Sequence, residues 1–117
     1  SAASDVYKRQ AIPSNKYCIT MVSVATKEQA STISKHLVAN RLAACVQITK
    51  IHSVYVWDGE CQEDDEFLLL IKTEKSKFPE IEEAVQRLHD YDVPEIICLD
   101  ITDGSYDYLA WITETVA

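Results

Sequence analysis

The sequence predicts one α+β domain with helices packed on one face of a small antiparallel sheet. Three observations lead there. Hydrophobic periodicity alternates between strand and helix spacing in the order β-α-β-β-α-β-α. A chain of 117 residues suits a single domain. Asp58-Gly59 forms a two-residue turn between two runs far longer than the usual five- or six-residue strand.

The first strand is Tyr17 to Val24, with Ile19 and Met21 on one face and Cys18, Val22 and Val24 on the other. Thr26 followed three residues later by Gln29 is a capping-box pattern, so a helix starts there. Ala30, Ile33 and Leu37 then recur at helical spacing, with Val38 widening the stripe. The helix is expected to end at Asn40, which tolerates a left-handed turn. Ala43 to Trp57 reads as one long strand. Its apolar parity moves from Val46 and Ile48 to Ile51, Tyr55 and Trp57, which predicts a bulge or sharp bend near Thr49-Lys50. The return strand, Glu60 to Thr73, is acidic at first and then apolar.

Phe78, Ile81, Val85 and Leu88 mark a second amphipathic helix with Pro79 in its first turn. A polar loop from His89 to Pro94 leads into a strand over Glu95 to Ile101, and Leu109, Ile112 and Val116 mark a closing helix. This order is that of a ferredoxin-like β-α-β-β-α-β domain with an added C-terminal helix. The long β2-β3 hairpin should outrun such a body, so its tip needs a partner, most simply another copy of the chain. Ser1 to Asn15 show neither periodicity and are set apart as an unstructured leader or cloning remnant, leaving 16–117 as the domain.

Composition excludes several functions. Eleven basic and 19 acidic residues give a net charge of −8, which repels phosphate backbones and argues against nucleic-acid binding. No apolar run reaches the roughly 18 residues of a membrane span, so no membrane insertion is expected. With two glycines in the chain, a phosphate-cradling loop cannot be built, and no nucleotide cofactor is predicted. An acylphosphatase-like enzyme would need an Arg-Asn pair, but the asparagines are only Asn15 and Asn40. Cys18, Cys45, Cys61 and Cys98 form no CxxC pair, and three lie in apolar runs. They read as reduced thiols, which together with the lack of a signal-peptide stretch gives a cytoplasmic expectation.

One segment carries metal-binding chemistry. His89 opens a loop with Asp90, Tyr91 and Asp92, and Glu95 follows. Imidazole and carboxylates in so short a span suit Cu(II), Zn(II) or Ni(II). The same residues also suit a solvated helix end, with His89 facing the C-terminal dipole. The run Glu60, Glu63, Asp64, Asp65 and Glu66 attracts cations too, although exposed strand charges commonly serve to block edge-to-edge aggregation.

Five ordered motifs resemble the CutA divalent-cation-tolerance family. They are Arg41-Leu42-Ala43-Ala44-Cys45-Val46, Tyr55-Val56-Trp57-Asp58-Gly59, Leu70-Ile71-Lys72-Thr73, His89-Asp90-Tyr91 with Pro94-Glu95-Ile96-Ile97, and Tyr108-Leu109-Ala110-Trp111-Ile112. The resemblance runs from Tyr17 to the end of the chain. It implies a compact homotrimer joined through the long hairpins and binding of divalent metal ions, Cu(II) foremost, or of a small ligand in an intersubunit cleft. With no nucleophile and base as a local pair in the sequence, no enzymatic activity is expected. The family's usual His-Pro-Tyr-Glu reads His89-Asp90-Tyr91-Asp92 here, and the first-strand cysteine of some members falls at Val22 or Val24.

The resulting expectation is a trimer that binds metal or a small ligand. His89 and Glu95 would be its metal ligands and Asp90 or Asp92 a supplementary donor, while Tyr91, Lys72 and Trp57 would line a cleft. The competing expectation is a trimeric scaffold that offers acidic surface to a protein partner, with metal binding incidental.

Overall fold

The computed structural model describes residues 15–117, so all but the last residue of the expected leader lie outside the described residues. The elements are β1 (Tyr17–Val24), α1 (Lys27–Ala39), β2 (Cys45–Trp57), β3 (Glu60–Glu74), a 3-10 turn (Lys75–Lys77), α2 (Phe78–Leu88), β4 (Ile96–Ile101) and α3 (Tyr106–Val116). Together they make an α+β fold with one four-stranded antiparallel sheet in the order β2-β3-β1-β4.

Local chemistry sets the boundaries. The Thr26 hydroxyl accepts the Gln29 amide at 3.1 Å and so satisfies an orphan donor of the first turn of α1. At the other end Asn40 donates through Nδ2 to the His36 carbonyl at 2.8 Å. Asn40 itself keeps a negative φ of −97°, and the left-handed residue is Arg41 at φ 56°. The expected turn is therefore displaced by one residue, because the Asn40 side chain already closes the helix. At the hairpin tip Asp58 (φ 52°) and Gly59 (φ 75°) both take positive φ, as a two-residue turn between twisted strands requires.

β2 carries no bulge. Its pairing with β3 runs without interruption from Cys45↔Lys72 to Trp57↔Glu60. The parity change arises because different faces are covered along the strand. Near its start Val46 packs with the helix-facing core. Farther on, Ile51 and Ser53 are the half-buried residues, and they point to the opposite face.

Two cores result. Val22, Leu69 and Ile71 meet Ile33 and Leu37 of α1 and Ile81 and Val85 of α2, all with no exposed surface. Each such side chain contributes about 1.5–3 kcal/mol on burial. On the other face α3 sets Leu109, Ile112 and Val116 over Tyr17 and Ala44, leaving part of the β4 edge uncovered. Ile97 and Leu99 there are about half exposed, at 48% and 49%. At roughly 3.3 Å per residue the 13 residues of β2 span about 43 Å, so the hairpin passes well beyond the helices. Val54 and Val56 near its end are exposed.

Candidate functional site

A cleft of about 750 Å³ opens on the sheet face away from α1 and α2, between the hairpin and the loop after α2. Trp57 and Tyr55 of β2 border it on one side, Tyr91 and Asp92 on the other, with Glu66 and Glu95 between. Strand alternation explains why these side chains meet. Glu66 pairs with Ile51 and points to the same face as Ser53 and Tyr55.

His89 organises the loop. It is 8% exposed, and both ring nitrogens are engaged. Nε2 lies 2.6 Å from the Ser23 carbonyl, and the Tyr91 amide donates to Nδ1 at 3.0 Å. A carbonyl can only accept and an amide N–H can only donate, so the ring proton sits on Nε2. In this conformation neither nitrogen offers a free lone pair, and ligation through Nδ1 requires the Tyr91 amide to turn away. The rings of His89 and Tyr91 pack with centroids 4.7 Å apart, which holds the loop over the sheet.

That loop brings the Tyr91 hydroxyl to Glu66, where it donates to Oε2 at 3.1 Å. Glu66 is 7% exposed, and among the described residues no Lys, Arg or His pairs with it. A carboxylate that deeply placed normally has a counter-charge. Glu95 stands at the rim. Partial burial of its carboxyl, together with the negative charge of Glu66, pushes its pKa above the ordinary glutamate value of 4.5. Burial and the same Glu66 carboxylate push the Tyr91 phenol up to about 12, so it stays a hydrogen-bond donor.

Most of the residues expected at the site do meet here: Glu95, Asp90, Tyr91, Asp92 and Trp57 line the cleft, while His89 lies beneath it as the loop's anchor. Lys72 does not line the cleft. It sits toward the other end of the sheet, with Nζ 5.5 Å from the centroid of the Tyr108 ring. Register is the reason, since Lys72 pairs with Cys45 whereas Glu66 pairs with Ile51. Glu66 is the residue that the sequence hid within an acidic run. Its signal was its position as the last acid before the apolar stretch that begins at Phe67.

A second polar cluster lies farther along the hairpin. His52 Nδ1 meets Asp65 at 2.8 Å and Nε2 meets Glu63 at 3.1 Å, and these carboxylates raise its pKa above 6.5. The Tyr55 hydroxyl donates to Asp64. All three contacts are exposed ties across the hairpin.

The cleft chemistry suits an oxygen-ligated cation. Among the described residues no three His, Cys, Asp or Glu side chains converge into a ligand set. The Glu66 and Glu95 carboxylates, with Asp90 and Asp92, give the cleft a lining of oxygen acceptors.

Comparison with known proteins gives a consistent result. The sequence profile of the CutA1 divalent ion tolerance protein family matches residues 18–115. A divalent-cation tolerance protein CutA of Thermus thermophilus is 47% identical over 97 residues, covering 82% of this chain and 94% of the relative. A chloroplastic CutA protein of Arabidopsis thaliana is 44% identical over 95 residues, covering 80% of this chain and 52% of that longer protein. Among solved structures, the periplasmic divalent cation tolerance protein CutA of Archaeoglobus fulgidus superposes with a TM-score of 0.85 at 35% identity, covering 86% of this chain and 99% of that one. The divalent cation tolerance protein of Thermus thermophilus gives 0.83 at 45% identity with the same coverage.

Proposed function

This chain belongs to the CutA1 divalent ion tolerance family, and from that premise we propose that it is a non-enzymatic protein that binds divalent cations in the cleft. The observation that carries the reading is Glu66, a buried carboxylate with no basic partner among the described residues, facing a cavity ringed by further acids. A cation there supplies the counter-charge that the fold omits. Glu66 and Glu95 form its anionic floor, and Asp90 or Asp92 adds a supplementary oxygen. His89 contributes indirectly by holding the loop. It contributes directly, through Nδ1, with an ion such as Cu(II) whose affinity for imidazole outweighs the Tyr91 amide contact.

The proposed assembly is a homotrimer of ferredoxin-like subunits joined through the hairpins. The half-exposed Ile97 and Leu99 and the exposed Val54 and Val56 support it, since apolar surface of that kind calls for cover. Calorimetric titration of Mn(II) and Cu(II) into wild-type protein and Glu95→Gln tests the binding reading. Near-stoichiometric binding weakened at least tenfold by the substitution supports it. Affinity indifferent to the substitution contradicts it.

A second reading, an interaction scaffold for a basic partner, is favoured by the exposed acids of the hairpin, Glu60, Glu63, Asp64 and Asp65. Under it, partner capture falls with salt and persists in Glu95→Gln.

A further inference from the structure

The walls of the cleft carry more information than its floor. A cation with six waters fills roughly 200 Å³ at about 30 Å³ per water, whereas the cleft offers about 750 Å³. That volume lies within the range of organic-ligand pockets. Three aromatic side chains, Tyr55, Trp57 and Tyr91, border it, with Val93 beside them. A hydrated metal ion gains nothing from such walls, but an organic ammonium ion does, through cation–π attraction and contact with its alkyl carbons. Among the described residues no Lys, Arg or His lines the space, which disfavours anionic metabolites.

The acids fall into two groups. Glu66 comes from β3, and Glu95 stands near enough to feel its charge. Asp90 and Asp92 come from the exposed loop. Ammonium groups donate three hydrogen bonds without demanding fixed coordination geometry, which suits a donor set that does not converge on one point.

We propose that the cleft binds an aliphatic polyamine, with one ammonium on Glu66 and Glu95, the methylene chain along Trp57 and Val93, and a second ammonium at Asp90 and Asp92. The proposal rests on the reading that these carboxylates form the protein's cation site. It adds that the aromatic wall selects an organic cation.

The test titrates spermidine, butylamine and Mn(II), at matched ionic strength, into the assembled wild-type protein and into Trp57→Leu, Trp57→Phe and Glu66→Gln. Trp57 is 54% exposed near the hairpin tip, so its replacement leaves the core intact. Spermidine is expected to bind at least tenfold more tightly than butylamine. Trp57→Leu should weaken spermidine at least fivefold, with Trp57→Phe recovering most of the loss. Glu66→Gln should weaken spermidine and Mn(II) together. Equal affinity for the two amines, or spermidine binding untouched by Trp57→Leu, overturns the polyamine assignment and leaves the metal reading standing. If Glu66→Gln changes neither ligand, both readings fall.

Discussion

Replacing His89 with alanine should destabilise the protein by an amount that its geometry sets. The substitution removes two hydrogen bonds, from Nε2 to the Ser23 carbonyl and from the Tyr91 amide to Nδ1. At about 0.5–1.5 kcal/mol each their loss costs about 1–3 kcal/mol. The imidazole is 8% exposed and packs on the Tyr91 ring, so its removal also leaves a gap that only water entry or loop collapse can fill. A total of about 2–4 kcal/mol follows, in the range found for loss of buried, hydrogen-bonded side chains. Urea unfolding at fixed protein concentration is the assay, because assembly makes apparent stability concentration-dependent. With a slope of about 2 kcal/mol/M, the middle of the usual range, the midpoint should fall by roughly 1–2 M, and hydrogen exchange at the Tyr91 amide should accelerate. A loss below about 0.5 kcal/mol with that amide still protected would refute the assignment of His89 as the anchor of the loop.

Three further outcomes follow from charge and burial. Because the folded-state pKa of Glu95 is raised by partial burial and by Glu66, the folded protein takes up a proton there more readily than the unfolded chain. The associated stability is fully present below pH 4.5 and is lost as pH rises through the folded value, so Glu95→Gln should raise the melting temperature at neutral pH and change little in acid. His52 behaves in the same sense at higher pH. Hydrogen bonds from Asp65 and Glu63 raise its pKa, so the hairpin tie is complete below 6.5 and weakens as pH rises through the folded value. In Asp65→Asn the imidazole should titrate lower by NMR. The cysteines should alkylate in order of exposure, with Cys61 first and Cys18 last, as read by mass spectrometry. Burial and the neighbouring Cys98 thiol push Cys18 up to about 12. Early labelling of Cys18 would contradict its place in the core.

Much of the fold was legible because local rules and global packing agree. The Thr26 cap, the Asp58-Gly59 turn and the Ala30-Ile33-Leu37 and Ile81-Val85 stripes each lie within one stretch of sequence and form as predicted. Val38, expected to widen the α1 stripe, is instead exposed, and the Gln29 side chain donates to the Leu88 carbonyl instead of returning to the Thr26 amide. The bulge expected in β2 failed for an instructive reason. Apolar parity reports which face of a strand is covered, and along this hairpin the covered face changes while the register does not.

The site was partly legible for the same reason. His89 and Glu95 flank one short loop and are visible together in the sequence, yet the role of His89 depends on the Ser23 carbonyl, 66 residues away in the chain. Lys72 and Glu66 share a strand and a face, and only the register separates the residue beside α3 from the one in the cleft. Glu66 could not be told from Glu63 or Asp65 by composition, because what buries it is the loop 25 residues later that carries the Tyr91 hydroxyl.

The most direct test of the cation reading is the stability of Glu66→Gln with and without a divalent cation. Gln keeps the size of Glu66 and an oxygen that accepts from the Tyr91 hydroxyl, so the variant should melt at or above the wild-type temperature when chelator is present. Saturating Mn(II) should stabilise the wild-type protein by mass action and leave the variant unchanged. A variant that is less stable in chelator, and that still gains as much from Mn(II) as the wild type, would contradict the assignment of Glu66 as the centre of the site.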